Sequence, residues 1–215
     1  KGLSNNSPAE QIRRYTPAER ANHWLTAITF LLLAFSGLAL FHPSLFWFTQ
    51  FFGGPVWTRI LHPYIGVVMF LSFAGLALKF WHHNLLSRND VEWLTRIGDV
   101  VRNREEGLPE VDRYNAGQKL LFWTMIATIP TLLVTGVIIW RPWFAGYFPI
   151  DLIRIAVLLH AVSAFVIIAG IIVHIYAALW IKGTVGAMVR GAVTPAWARK
   201  HHPGWYKRLR DGTGH

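Results

Sequence analysis

The sequence contains no cysteine and few acidic residues. Because cysteine is absent from all 215 residues, disulfides, thiolate-bound iron–sulfur clusters and covalent heme attachment through a C-x-x-C-H motif are excluded. Only 11 Asp and Glu residues stand against 21 Lys and Arg residues, and none of the acidic residues lies in the long apolar runs. An intramembrane proton relay usually needs an acidic residue. Any heme would therefore be held noncovalently through axial ligands, and a proton pump is not expected.

Four long apolar runs are present instead. The uncharged residues 24–41, 60–78, 120–140 and 155–181 are each long enough to cross a hydrocarbon core about 30 Å thick. They predict an all-α fold, an integral membrane bundle of four helices that forms one domain over residues 1–215. The predicted helices cover about residues 23–41, 60–80, 119–140 and 152–181, with a connecting segment at 84–114 and a tail at 182–215. A surface helix is expected near residues 90–101.

The basic residues are partitioned between the two predicted sides of the membrane. All but three of the 21 Lys and Arg residues lie on the side that carries both termini, the exceptions being Arg59, Arg141 and Arg154. The positive-inside rule therefore predicts that both termini are cytoplasmic. A charge that follows membrane topology in this way also argues against a nucleic-acid-binding surface.

Two histidines in the last apolar run indicate a binding function. His160 and His174 are fourteen residues apart, and fourteen residues turn a helix through about 1400°, within about 40° of a whole number of turns. Both imidazoles therefore face the same way, about 21 Å apart along the helix axis. One helix can thus present an imidazole near each membrane face, which is the arrangement needed for two hemes stacked across a bilayer.

Depth in the membrane supplies a partner for each of these histidines. His62 opens the second predicted helix at the external end, level with His160, and His23 opens the first at the cytoplasmic end, level with His174. Two neutral imidazoles saturate a heme, so that it carries electrons and does not bind oxygen. The sequence therefore predicts an outer heme b on His62 and His160, and an inner heme b on His23 and His174.

Two alternatives remain open at this point. The four histidines can also be interfacial residues or hydrogen bonders between helices, as many membrane histidines near helix ends are. The adjacent His82 and His83, which leave the second helix on the cytoplasmic side, compete for the inner heme, although their polar surroundings favour contacts with lipid headgroups.

Strings of residues along nearly the whole chain resemble one known family, the cytochrome b, or gamma, subunits of bacterial membrane-bound formate dehydrogenases. No single string is decisive, but their order along the chain is specific. The strings are Arg20-Ala-Asn-His23-Trp24, Arg59-Ile-Leu-His62-Pro63, Trp81-His82-His83-Asn84, Arg113-Tyr-Asn-Ala-Gly-Gln-Lys119, Val134-Thr-Gly-Val-Ile-Ile-Trp-Arg-Pro142 and Lys200-His-His-Pro203.

The resemblance implies specific site residues. The family's outer heme ligands fall on His62 and His160, and its inner ligands on His23 and His174, which is the same pairing that depth predicts. Its quinone site, usually for menaquinone, falls on Asn115, Gly117, Gln118 and His174. Side-chain amides could hydrogen-bond a quinone carbonyl there, and a glycine would let the ring approach the backbone. Without the resemblance, these residues are more typical of a polar turn and a helix start.

The resemblance also implies a location in the bacterial inner membrane, and it implies partners. An iron–sulfur (beta) subunit would pass electrons from an external molybdenum or tungsten (alpha) subunit that oxidises formate, and the assembly would be a trimer of heterotrimers. The aromatic-rich segment 42–59 is expected to dock the iron–sulfur partner or to form a membrane-interface belt. Two rivals are the cytochrome b subunit of a nickel–iron hydrogenase and a heme-free membrane anchor for soluble partners. A transporter is disfavoured because there is no inverted repeat.

Overall fold

Four long helices dominate the computed structural model, which describes residues 11–102 and 109–212 and, at residues 100 and 101, the backbone alone. All four are long and apolar enough to cross a membrane. This confirms the predicted all-α membrane bundle. The four helices are α1 (Pro17–Phe41), α2 (Pro55–Phe80), α5 (Ala116–Ile139) and α6 (Ile150–Trp180).

The first two helices begin earlier than their apolar runs. At the start of α1, the Thr16 backbone N–H donates to Glu19 Oε2 at 2.7 Å and the Glu19 N–H donates to Thr16 Oγ1 at 3.3 Å. This reciprocal capping box satisfies donors that the first turn leaves without partners. Helix α2 begins at Pro55, directly after Gly53 and Gly54, whose φ angles of 81° and 101° are readily adopted only by glycine. Both helix starts are therefore determined by residues outside the apolar runs, by the capping box in α1 and by the two glycines before α2.

Pro63 does not lie in a first helical turn, as the helix start predicted near residue 60 implied, but inside α2. The prediction was wrong because it placed the helix start at the first uncharged run. Since proline has no N–H, the carbonyl of Arg59 lacks its usual intrahelical donor. This interruption lies next to His62, one of the predicted heme ligands.

Shorter elements fill the rest of the described chain. Two strands, β1 (Ile12–Arg13) and β2 (Ala192–Val193), pair antiparallel with Ile12 opposite Val193. Three 3₁₀ segments span Pro43–Phe52, Trp81–Asn84 and Ala145–Tyr147. The short helices are α3 (Arg88–Thr95), α4 (Ile97–Val101), α7 (Thr184–Arg190), α8 (Pro195–His201) and α9 (Pro203–Arg210).

Contacts divide the chain into two compact units. The bundle unit comprises Ala21–Lys79 and Trp123–Val173, and the terminal unit comprises Lys1–Arg20, Phe80–Phe122 and His174–His215. A single domain over residues 1–215 stays a prediction. Each unit has its own set of packing contacts.

Polar side chains join α1 to α2 within the bundle unit. The hydroxyls of Thr26 and Ser72 are 2.6 Å apart, and Ser72 Oγ lies 2.6 Å from Asn22 Oδ1. Thr26 and Ser72 are both buried. Hydrogen bonds of this kind hold membrane helices together where burial of apolar surface supplies little driving force.

The terminal unit has a small apolar core of its own. Ala187, Val193, Ala198 and Trp205 are buried there, and Ile12 and Leu209 are among the residues that pack against them. At Gly191, which has a φ of 82°, an added Cβ would lie 2.7 Å from the carbonyl oxygen of Tyr15, so only glycine fits. The described part of the segment that the sequence indicated as a tail, residues 182–212, is therefore folded, and it pairs with the N-terminal strand through β2.

Buried Arg14 ties three parts of the terminal unit together. It donates to the carbonyl of Arg113 at 2.7 Å and lies 3.2 Å from Nε2 of His202, while its guanidinium is 4.7 Å from the ring centroid of Trp205. His202 Nδ1 lies 2.7 Å from the carbonyl of Asp112 and donates to it. Burial, with the charges of Arg14 and His201, lowers the pKa of His202 to about 2, so this imidazole is neutral.

Candidate heme site

His62 on α2 and His160 on α6 face each other within the bundle unit. Their ring centroids are 6.3 Å apart and their ring planes are inclined by 61°. Two imidazoles that bind one metal from opposite sides, through metal–nitrogen bonds of about 2 Å, have ring centroids about 6 Å apart, since each centroid lies about 1 Å behind its nitrogen. The spacing of the two rings therefore fits one metal atom between them.

Each of these histidines meets a hydroxyl on a neighbouring helix. Ser36 Oγ on α1 lies 2.7 Å from His62 Nδ1, and Thr135 Oγ1 on α5 lies 2.9 Å from His160 Nδ1. Both hydroxyl residues are buried, Ser36 completely. A histidine that binds a metal through one nitrogen almost always hydrogen-bonds through the other.

A glycine follows each hydroxyl residue and faces the same ring. An added Cβ at Gly37 would lie 3.4 Å from Cε1 of His62, and one at Gly136 would lie 3.4 Å from Cε1 of His160. Larger side chains at these positions would compete with the rings for space. The residues present thus fit the predicted heme in donor type, donor spacing and room around the donors.

Residues 11–102 and 109–212 contain no cluster of three or more His, Asp or Glu side chains able to hold a metal ion. A closed structural metal site normally requires four protein ligands, whereas heme iron needs only two. The facing pair of histidines is therefore suited to a metal that brings its own equatorial ligands.

The predicted inner ligands fall in different units, so their pairing stays a prediction. His23 lies on α1 in the bundle unit, edge-on to Trp24 with ring centroids 5.5 Å apart. His174 lies on α6, in the part assigned to the terminal unit, and is partly buried. Their competitors His82 and His83 lie side by side in a 3₁₀ turn, with ring centroids 4.0 Å apart.

The predicted quinone-site residues Asn115, Gly117 and Gln118 form the start of α5. The Asn115 N–H donates to Gln118 Oε1 at 3.0 Å, and the Gln118 N–H donates to Asn115 Oδ1 at 2.9 Å. This is a capping box, the helix-start arrangement that the residues indicated by themselves. Both amide oxygens are used in it. Because a quinone carbonyl accepts hydrogen bonds, the amide nitrogens Nδ2 and Nε2 are the groups suited to bind it.

An open cavity of about 340 Å³ in the terminal unit adjoins this helix start. Among the residues that line it are Asn115, Trp93, His82, His83, Asp90 and Lys119, whereas Gly117, Gln118 and His174 do not line it. An added Cβ at Gly117 would nevertheless lie 3.8 Å from the Trp93 ring. Asn115 therefore lies at the cavity, and Gly117 lies next to the Trp93 ring.

A buried ion pair stands beside the cavity. Lys119 Nζ lies 2.8 Å from Asp90 Oδ2 and donates to the Leu85 carbonyl at 3.1 Å. Burial alone would raise the pKa of the Asp90 carboxyl, but hydrogen bonds from Lys119 and Ser87 and the charge of Lys119 outweigh it and hold this pKa below its ordinary value. This pair fastens α3 to the first turn of α5.

Sequence reasoning did not single out Ser36, Thr135 or the Lys119–Asp90 pair. A signal for the two hydroxyls exists, because each precedes a glycine in an apolar helix, in Ser36-Gly37 and Thr135-Gly136. For the ion pair, the sequence Ser87-x-x-Asp90 predicts only the capping box that the structure contains. The partner of Asp90 lies 29 residues further along the chain.

Comparisons with known proteins agree with the resemblance predicted from the sequence strings. The prokaryotic cytochrome b561 family matches residues 14–191. The "Formate dehydrogenase, cytochrome b556(fdo) subunit" of Escherichia coli K12 is 52% identical over 95% of this chain and 96% of its own length. The nitrate-inducible Fdn subunit of the same strain is 43% identical over 94% of each chain. A cytochrome b556 subunit from Haemophilus influenzae is 46% identical over 91% of this chain and 82% of its own.

Proposed function

The chain belongs to the prokaryotic cytochrome b561 family, and on that premise we propose that it is the cytochrome b subunit of a formate dehydrogenase. The observation that carries the proposal is the facing pair His62 and His160, set 6.3 Å apart in a chain whose relatives are named cytochrome b556 subunits. Formate oxidation belongs to another subunit. The role of this chain is to take electrons from an iron–sulfur partner, conduct them across the membrane and reduce quinone.

Two pairs of histidines bind the two b hemes of this proposal. His62 and His160 would hold the outer heme through their imidazole nitrogens, and His23 and His174 would hold the inner heme. Heme b, when bound, supplies a one-electron carrier. The protein supplies imidazole ligands on helices that are fixed by packing, together with apolar surroundings that exclude water, and both contribute to the reduction potential of a heme.

Quinone, in most such membranes menaquinone, binds at the inner end of α5 in this proposal. The side-chain N–H groups of Asn115 and Gln118 donate to a quinone carbonyl while their oxygens cap the helix. Gly117, which has no side chain to fill the space beside Trp93, and His174 on α6 complete the set. The amides thus have two uses, one structural and one in binding.

Reduction of quinone on the cytoplasmic side separates charge across the membrane. Two electrons arrive from the external side, and two protons are taken up from the cytoplasm to form the quinol. No proton has to cross the apolar part of the bundle, in agreement with the absence of Asp and Glu from the four apolar runs. The cytoplasmic position of both termini is part of this proposal and follows from the positive-inside rule.

Docking of the iron–sulfur subunit is assigned to the external aromatic segment. Phe46, Trp47, Phe51 and Trp57 in and after the first 3₁₀ segment are exposed, with 45% to 65% of their surface accessible. Exposed aromatic side chains of this kind serve both protein interfaces and the membrane boundary. Through this partner the chain would connect to the molybdenum or tungsten catalytic subunit, in a trimer of heterotrimers.

A reduced-minus-oxidised spectrum of the intact complex after addition of formate tests the proposal. Two b hemes per chain are expected by a pyridine hemochrome assay, and both should become reduced with formate. Reduction by hydrogen and not by formate would assign the chain to a nickel–iron hydrogenase. A colourless complex would identify a heme-free anchor and overturn the proposal.

A further inference from the structure

The surroundings of His62 and His160 repeat one arrangement twice. In each, a buried hydroxyl approaches Nδ1 of the ring, and the glycine that follows it in sequence faces Cε1. One copy lies on α1 and the other on α5, although the two contacts are made by unrelated stretches of sequence. This repetition indicates that both contacts serve the same purpose.

The single hydrogen of the Ser36 hydroxyl bears on which ring nitrogen of His62 carries a hydrogen. A serine hydroxyl has one hydrogen to donate. Ser36 Oγ lies 2.7 Å from the carbonyl oxygen of Leu32, which can only accept, so the hydroxyl donates there. With its hydrogen donated to Leu32, the Ser36 oxygen is able to accept at its 2.7 Å contact with His62, and this requires the hydrogen of His62 to be on Nδ1.

The same count applies to His160. Thr135 Oγ1 donates to the carbonyl oxygen of Thr131 at 2.6 Å, which leaves its oxygen able to accept from Nδ1–H of His160 in the 2.9 Å contact between them. This arrangement of hydrogen bonds favours, for both imidazoles, the tautomer with hydrogen on Nδ1. The lone pair that remains is on Nε2, the nitrogen able to bind iron.

We infer that Ser36 and Thr135 are positioning residues, which fix the tautomer and orientation of His62 and His160 and make both imidazoles stronger electron donors. A hydrogen bond accepted from Nδ1–H raises the basicity of a metal-binding imidazole. A more basic ligand stabilises the oxidised metal, so the two hydroxyls lower the reduction potential of the outer heme. This inference rests on the proposed ligation by His62 and His160.

Potentiometric titration of the heme spectrum in the purified complex tests the inference. Ser36→Ala and Thr135→Val remove the acceptor, whereas Ser36→Thr and Thr135→Ser keep it. Removal of either acceptor should raise the midpoint potential of the outer heme enough to change its reduced-to-oxidised ratio about three- to tenfold at a fixed potential, where tenfold corresponds to about 59 mV for one electron. The inner heme should keep its potential.

Matched controls come from the same helices. Thr29 on α1 and Thr128 on α5 are buried and donate only to carbonyls of their own helix, so Thr29→Val and Thr128→Val remove a hydroxyl without touching a histidine. Both control variants should leave the potentials unchanged. Loss of the outer heme in Ser36→Ala but not in Ser36→Thr would also support the inference. Hydrogen-bond partners of this kind typically improve the affinity of a metal site about 10- to 100-fold.

Equal midpoint potentials in the wild type, the two acceptor-deleted variants and the controls would overturn the inference and leave the proposed function intact. A wild-type complex without b heme would overturn both. Because the hemochrome assay on the wild type precedes the titrations, the two failures are distinguished.

Discussion

Removal of Lys119 should release α3 from the first turn of α5. The side chains of Lys119 and Asp90 are only 6% and 9% exposed, so Lys119→Met leaves a carboxylate buried beside the cavity. Deleting one partner of a buried pair costs about 3–5 kcal/mol. Ser87 continues to donate to Asp90 from its N–H and its hydroxyl, each at 2.7 Å, so we expect the lower end, about 3 kcal/mol.

Limited trypsin cleavage after Arg88 measures this local opening. When opening is fast relative to cleavage, the rate follows the open population, and about 3 kcal/mol corresponds to roughly 100-fold faster cleavage. Asp99→Asn is the matched control, because the Arg96–Asp99 pair has a 3.4 Å separation and each side chain is 35% exposed. Such pairs contribute about 0–1 kcal/mol, so cleavage should increase about fivefold at most.

The double variant Asp90→Asn, Lys119→Met separates a buried charge from a general loss of packing. If the unpaired carboxylate causes the opening, removing it as well should restore much of the protection. The reasoning is refuted if Lys119→Met is cleaved no faster than Asp99→Asn, or if the double variant is cleaved as fast as Lys119→Met.

Three further predictions concern histidines and the helix cap. Because the folded pKa of His202, about 2, lies below its ordinary value of 6.5, the unfolded state binds the proton more readily, and stability falls as pH drops below 6.5. The loss from this group between pH 7 and pH 5 is about 2 kcal/mol, and thermal unfolding of His202→Gln should lack that part of the acid sensitivity. His160→Ala should remove the outer heme alone, whereas His174→Ala should remove the inner heme together with quinone reduction; two hemes in both variants would refute the ligand assignment. Asn115→Asp keeps the capping oxygen but loses the amide donor, so steady-state kinetics should show a higher KM for quinone with unchanged thermal stability, whereas Asn115→Ala should impair both. An unchanged KM in Asn115→Asp would exclude the amide as a quinone ligand.

Hydropathy predicted the four helices because a membrane span is a local property of about twenty residues. Helix starts were less predictable, since Thr16 with Glu19 and Gly53-Gly54-Pro55 act outside the apolar runs. Predicted depth in the membrane placed His62 and His160 at the same level, but the distance between their rings depends on how α2 and α6 pack. The spacing of residues could not show this.

Local sequence patterns did not by themselves predict the hydroxyl contacts or the folded tail, for a different reason. A serine or threonine in an apolar helix usually donates its hydrogen to a carbonyl of its own helix, as Ser36 and Thr29 both do. The glycine that follows Ser36 sets it apart from Thr29, but it does not identify His62 as the partner. The tail is basic and, by its sequence, resembles a solvated segment. Its folding involves contacts of Trp205 and His202 with Arg14, which the sequence does not reveal. The Arg14–His202 contact joins residues 188 positions apart.

The contacts of Arg14 bear on the topology of the membrane protein. Arg14 precedes the first span, Arg113 lies between the second and third, and His202 follows the fourth, yet all three are in hydrogen-bonding contact within the terminal unit. Segments in contact with one another must lie on the same side of a bilayer. These contacts therefore require that the chain crosses the membrane an even number of times between Arg14 and Arg113, and again between Arg113 and His202. This requirement does not depend on the distribution of charge. The excess of Lys and Arg on that side then predicts, by the positive-inside rule, that it is the cytoplasmic side.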